Sequence, residues 1–457
     1  MGVSFQPGHF DGFTVLLAGL LLLDFLAFLP LWKVWFAPKL KPFWLLALVG
    51  LACPHPFWKL AGSLTLWAIF RHYFIDQRWQ RVRRGGGAPG FMAHWAMLHL
   101  SLIQLARFLE PTGSLAGLAL WVARCDFAII MLCAGVYKYC VGYLHRDGME
   151  YGRVNPMWGY HWRFFCQRSP GGFYPQLMNK LACLVEISGG ILMLIPGIWQ
   201  MFGAVIISLS FVYVSLFIRL GRLAWLMALL PLLFHPQLAN SLIVPEMPTL
   251  QAPSLLLSAL TILAYLYVAL LPVVKLTQYA NLFGNWRWPA PWQGLLDRYA
   301  NTVPIIIWRV FTPDVTNFYV RIYTAEGQAV VDEATYSLKK SSPPLFKLRM
   351  LHVCESIAVT SVFTTLRYFP SKPELFAQRI LEYSRSLGDF QYLRYELVAI
   401  LKESDRFVFA TAEQIHVDLE RQQVTREPVL KGYQFSAPSV YSPVREATRP
   451  GSYVAAG

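Results

Sequence analysis

The chain has 457 residues, 55% of them hydrophobic and only 14% charged, against roughly 25% charged residues in an ordinary soluble domain. Residues 1–275 carry twenty Lys and Arg against nine Asp and Glu, a balance of +11, and residues 276–457 carry twenty against seventeen, a balance of +3. The excess sits in loops between apolar runs, without a basic stripe or recognition motif, so membrane topology accounts for it and nucleic-acid binding is set aside.

From the N-terminus, Asp11 and the lack of a basic leader argue against a cleaved signal peptide, so the first apolar run is expected to stay as a helix. About 20 apolar residues are needed to cross a bilayer core as helix. Runs at 13–36, 43–71, 91–110, 115–142, 178–198, 201–218, 222–241 and 254–275 meet or approach that length. Cys53-Pro54-His55-Pro56 interrupts the second, where two prolines remove helical hydrogen bonds; a short re-entrant piece followed by one span is the alternative there, giving seven to nine spans.

Arg71, Arg78, Arg81, Arg83 and Arg84 follow the second run, Arg146, Arg153, Arg163 and Arg168 the fourth, and Arg219 and Arg222 the sixth. The intervening turns near 111–114, 199–200 and 242–253 hold no Lys or Arg; Lys33, Lys39, Lys41 and Arg107 dissent. The bias places both termini in the cytoplasm.

After residue 275 the pattern changes. Polar and apolar residues alternate over Asn317–Tyr323, and Ala325-Glu326-Gly327-Gln328 follows as a turn, which predicts a strand and hairpin. Helices are expected near 345–365 and 373–387, the second opening behind Ser371 with Pro373 in its first turn, and strands near 391–402, 406–411 and 415–425. The fold class is therefore mainly α: a polytopic transmembrane helix bundle of about eight spans over 1–275, a small soluble α+β domain over 276–432, and a disordered tail over 433–457. The seven cysteines show no CxxC and no clustered framework, so neither disulfide staples nor a zinc site is indicated.

Ionisable groups inside spans are the functional candidates, because each costs several kcal/mol unless it is partnered or reaches water. Asp24, His94, His99, Arg124, Asp126, Lys138 and Glu186 qualify. Arg124 and Asp126 point about 200° apart on a helix, so each needs a partner elsewhere, either in a register-fixing charge network or around a polar cavity. His94 and His99 are five apart and do not share a face as metal ligands would, so at least one is a packing or interfacial histidine. The small residues after Glu186 permit close helix approach, with Arg124 or Lys138 as a partner. Lys138, near the end of its span, either snorkels to the interface or sits in an apolar pocket where a neutral amine can act as a base. The aromatic-rich segment 143–177 reads as an interfacial loop or as a lid over Lys138.

The run Ala134-Gly135-Val136-Tyr137-Lys138, followed by Gly148-Met149-Glu150-Tyr151 and His161-Trp162-Arg163-Phe164-Phe165, resembles the vitamin K-dependent γ-carboxylase family, part of a wider group with the horizontally transferred transmembrane domain. The likeness covers about residues 120–200, including Glu186 and the run to Pro196. It implies a membrane enzyme in which Lys138 deprotonates a lipophilic quinol, oxygen converts the quinol to an epoxide, and a strong base is generated away from water. Glu150, His161 and Glu186 would be its polar partners, and Arg124, Asp126, Tyr137 and Trp162 would line the quinol site. Tyr137 stands where that family has a second lysine, and the tail is short for its large substrate-holding domain, so peptide glutamate carboxylation is not implied. Two functions stand side by side: quinol chemistry at Lys138, or a non-catalytic membrane scaffold holding a protein partner through residues 276–457.

Overall fold

A computed structural model describes residues 8–28, 39–76, 87–242 except 111, 141 and 145–147, 253–303 except 284, 285 and 287, 313–336, 351–431 except 369 and 371, and residues 433 and 435. The expected tail, apart from Tyr433 and Phe435, lies outside the described residues, as do Lys33, Arg78, Arg81, Arg83, Arg84 and Arg146 and most of the 242–253 turn.

The bundle begins with α1 (His9–Phe28), α2 (Leu40–Ala52) and α3 (Pro56–Phe70), the last continued by a π turn over Arg71–Asp76. The prolines end α2 as expected, but the product is a helical hairpin. Thirteen residues span roughly 20 Å, short of a bilayer core, and α3 packs straight back on α2. A Cβ on Gly62 would lie 2.5 Å from the Ala47 carbonyl, and one on Gly50 2.8 Å from that of Trp58, so only glycine permits this crossing.

Next come α4 (Gly87–Leu109) and α5 (Ser114–Cys140), the short α6 (Gly148–Val154) and α7 (Trp162–Cys166), then α8 (Phe173–Leu194) and α9 (Ile198–Phe217). The chain continues through α10 (Arg222–Leu229) with a 3-10 turn over Leu230–Phe234, α11 (Pro236–Asn240), α12 (Ser254–Phe283) and α13 (Ala290–Thr302). Among the described residues, five segments are long and apolar enough to cross a membrane: His9–Leu26, α5, α8, α9 and Ser254–Asn281. Helix α4 has the length but carries His94, His99, Gln104 and Arg107, all buried. It is enclosed by its neighbours, which is why it tolerates them. Helix α12 runs past residue 275 to Phe283, with Pro272 inside it.

Buried charges pair helix to helix. Lys59 Nζ lies 2.5 Å from Asp11, Arg107 reaches the same carboxylate at 3.4 Å, and Arg222 pairs with Asp24. Arg124 and Asp126 do diverge: Arg124 donates to the carbonyls of Leu233 and His235, at 2.7 and 3.2 Å.

The C-terminal domain comprises α14 (Pro313–Thr316), β1 (Phe318–Thr324), β2 (Ala329–Val331), α15 (Glu333–Tyr336), α16 (Leu351–Tyr368), α17 (Pro373–Leu387), β3 (Tyr392–Lys402), β4 (Phe407–Asp418) and β5 (Gln423–Pro428). The strands form one antiparallel sheet in the order β2-β1-β3-β4-β5. The expected hairpin is β1–β2, with Gly327 at φ +79° in its turn. Two strands expected at 406–411 and 415–425 are instead β4 and β5. Between Leu397/Glu413 and Val398/Thr411 the register slips, leaving Ala412 as a bulge; the extra residue shifts the alternation and imitates a break. Helices α16 and α17 cover one sheet face through Phe363, Phe376, Tyr383 and Tyr395.

The domain docks on the 148–166 segment. Asn155 Nδ2 donates to the carbonyls of Thr316 and Phe318 at 2.7 and 2.6 Å, and Ser356 Oγ donates to that of Met157 at 3.2 Å.

Candidate functional site

Among the described residues, two of the buried polar clusters in the bundle adjoin cavities, and they differ in what surrounds them. At the end of α5, Lys138 Nζ sits 2.5 Å from Glu186 Oε1 on α8, so of the two partners open to Glu186 the structure gives Lys138. The helices meet closely here, for a Cβ on Gly135 would fall 2.8 Å from the Ile187 nitrogen. The Tyr143 ring lies over the ammonium at 5.7 Å. Tyr143, Met149, Ser210 and Phe211 help to enclose a cavity of about 30 Å³ beside the pair, room for a single water. The start of the 143–177 segment thus caps Lys138, and the remainder docks the soluble domain.

The other resemblance-derived residues point away from Lys138. Glu150 accepts from the Gly171 backbone at 2.9 Å and pairs with Lys402 of β3 at 3.1 Å. His161 is exposed at the start of α7. The Trp162 ring meets Phe409 of β4 at 5.9 Å, and Tyr137 is buried against Phe283 at 6.0 Å. Burial pushes the nearby Cys166 thiol up to about 12, so it stays protonated.

The second cluster centres on Asp126, midway along α5. Its Oδ2 accepts from Trp95 Nε1 at 2.8 Å and from the Tyr267 hydroxyl at 2.8 Å, and it faces His99 Nε2 at 3.0 Å. Three elements therefore converge: Trp95 and His99 stand one turn apart on α4, and Tyr267 comes from α12. A carboxylate only accepts, so it fixes the proton on Nε2 and leaves Nδ1 as the acceptor nitrogen. Among the described residues that buried Nδ1 has no hydrogen-bond partner, and neither has Asp126 Oδ1.

His99 and Tyr267 also line a cavity of about 380 Å³ between α4, α5 and α12. Its other walls are apolar, among them Leu102, Leu105, Leu118 and Leu263, with Val303 at the end of α13 closing one side. From His99 to Leu109 the α4 wall extends ten residues, roughly 15 Å at the helical rise. The result is an apolar cleft with one polar end, the pattern of a site for an apolar molecule with a hydrogen-bonding head.

Asp126 and His99 are both legible in the sequence as ionisable groups inside apolar runs. Trp95 and Tyr267 gave no signal beyond polar-edged aromatics in apolar runs. Among the described residues, no group of three or more His, Cys, Asp or Glu could hold a metal ion. No protein-family model, curated protein or solved structure matches this chain, so the site stands on its own geometry.

Proposed function

We propose that this is an integral membrane protein of the γ-carboxylase-like group that binds a lipophilic quinol in the cleft between α4, α5 and α12, with His99 as the general base. The observation that carries this reading is the buried imidazole at the polar end of an apolar cleft, one nitrogen held by Asp126 and the other unpaired. With the imidazole turned so that its buried Nδ1 meets the cleft, the ligand hydroxyl donates to that nitrogen. Transfer of its proton gives an oxyanion and an imidazolium whose charge Asp126 compensates, the division of labour of a base and its orienting carboxylate. Leucines on both walls exclude water, which strengthens these interactions.

Lys138 as base is the second reading, favoured by the Ala-Gly-Val-Tyr-Lys likeness. Its geometry is less favourable, because the amine is already paired with Glu186 and the adjoining cavity takes about one water. Both readings place about eight spans in the bilayer and both termini on the cytoplasmic side. Docking of the C-terminal domain on 148–166 supports one side for both, in agreement with the arginines there.

The test is titration of the protein in nanodiscs with a short-chain naphthoquinol, followed by oxygen-dependent oxidation, for wild type, His99→Phe and Lys138→Met. Binding and turnover lost in His99→Phe and kept in Lys138→Met support the cleft. The reverse assigns the base to Lys138. Saturable binding with no turnover in any of the three leaves a binding scaffold.

A further inference from the structure

Helix α13 follows the last span and turns back along it. Ala300 packs on Leu271 and Val274 of α12, with Leu296, Tyr299 and Val303 around that contact. The stripe Trp292, Leu295, Leu296, Tyr299, Val303 has helical spacing, so α13 is amphipathic with an apolar face toward α12. Its polar side is tied down separately: Asn281 Nδ2 donates to Gln293 Oε1 at 3.3 Å, and Gln293 Nε2 donates to Asp297 at 2.9 Å.

The two helices do not close completely. Between them lies a groove of about 390 Å³, lined from α12 by Leu270, Val273 and Thr277, from α13 by Trp292, Leu295 and Tyr299, and by Trp288 just before α13. Almost none of the apolar stretch of α12 is buried within the protein: 6% of its most apolar window. A face so apolar and so exposed suits the hydrocarbon of a bilayer. Helix α12 is roughly 45 Å long, more than the hydrocarbon core, so its polar C-terminal turns and the tryptophans reach headgroup level. Trp288 and Trp292 are exposed, and indoles at that depth lie against acyl chains while their N–H reaches the ester carbonyls.

We infer that the α12–α13 groove is a specific site for one phospholipid, an acyl chain lying between Val273 and Leu295 and its glycerol region at Trp288 and Trp292. The site is distinct from the His99 cleft but shares a wall element with it, because Val303, which directly follows α13, lines that cleft. A seated chain wedges α13 in place and so holds that wall.

The test uses the full chain, stripped of lipid in detergent and titrated with dioleoyl phosphatidylglycerol or phosphatidylethanolamine. Native mass spectrometry counts bound lipid. Wild type is expected to retain one phospholipid that survives activation. Val273→Trp and, independently, Leu295→Trp fill the groove from opposite walls and are expected to lower that retention at least tenfold. Leu209→Trp, on the exposed face of α9, is the control expected to leave it unchanged. Equal retention in all four proteins, or loss in Leu209→Trp as well, means annular lipid only and overturns the site. So does a groove that keeps a short-chain naphthoquinol and no phospholipid. Because no quinol is needed for the lipid count, its result is independent of the fate of the His99 reading.

Discussion

Lys138 and Glu186, 48 residues apart in sequence, meet across α5 and α8 at 2.5 Å with both side chains almost wholly buried. Removing one member of such a pair strands the other charge, which costs about 3–5 kcal/mol, whereas replacing both with apolar side chains is close to neutral. Lys138→Met is therefore expected to lower thermal stability in detergent markedly, and Lys138→Met with Glu186→Leu to recover most of the loss. If the single variant is as stable as wild type, the pair is not structural and its lysine is free for other work.

The α2–α3 hairpin rests on the approach of Gly62 to the Ala47 carbonyl, where even a methyl would sit at 2.5 Å. Gly62→Ala is expected to force the helices apart and to cost about 1–3 kcal/mol, the range for overpacking. Thermal unfolding followed by circular dichroism measures it; an unchanged midpoint would mean that the hairpin opens at no cost.

Asn155 fastens the soluble domain to the bundle through two donations from one amide, to the carbonyls of Thr316 at the end of α14 and Phe318 at the start of β1. Asn155→Leu removes both hydrogen bonds, at about 0.5–1.5 kcal/mol each. Faster hydrogen exchange across 316–324 is expected, while exchange in β4 stays as it was.

Glu333 sets an acid limit for the soluble domain. Burial pushes its carboxyl up, but hydrogen bonds from Arg321 and Tyr319 outweigh this and hold it below the ordinary 4.5. A carboxyl depressed in the folded state contributes stability above its unfolded value and gives it up as pH falls through the folded one. Stability of the domain is thus expected to decline below about pH 4.5, and Arg321→Gln to flatten that decline. A pH series of urea unfolding, read by hydrogen exchange in β1, tests this.

Much of the architecture was legible because it follows from pattern alone. The prolines at 54 and 56 break a helix wherever it packs, and the divergence of Arg124 and Asp126 follows from 100° per residue. Partners were a different matter. Periodicity tells which face of a helix is apolar, not which helix it meets, so nothing in the sequence joins Tyr267 to Asp126, 141 positions away. Glu150 and Trp162 lie close to Lys138 along the chain, yet their side chains hold the soluble domain. The β4 bulge at Ala412 was hidden for a local reason, since one inserted residue exchanges the two faces of the strand.

The most direct measurement is photolabelling with an azido-substituted naphthoquinol in the full-length protein in nanodiscs, with the sites mapped by peptide mass spectrometry. Label on Leu102, Leu105 or Leu263, competed by unlabelled quinol and lost in His99→Phe, is the expected result. Label confined to Tyr143, Met149 or Phe211 around Lys138, and indifferent to His99→Phe, would contradict it.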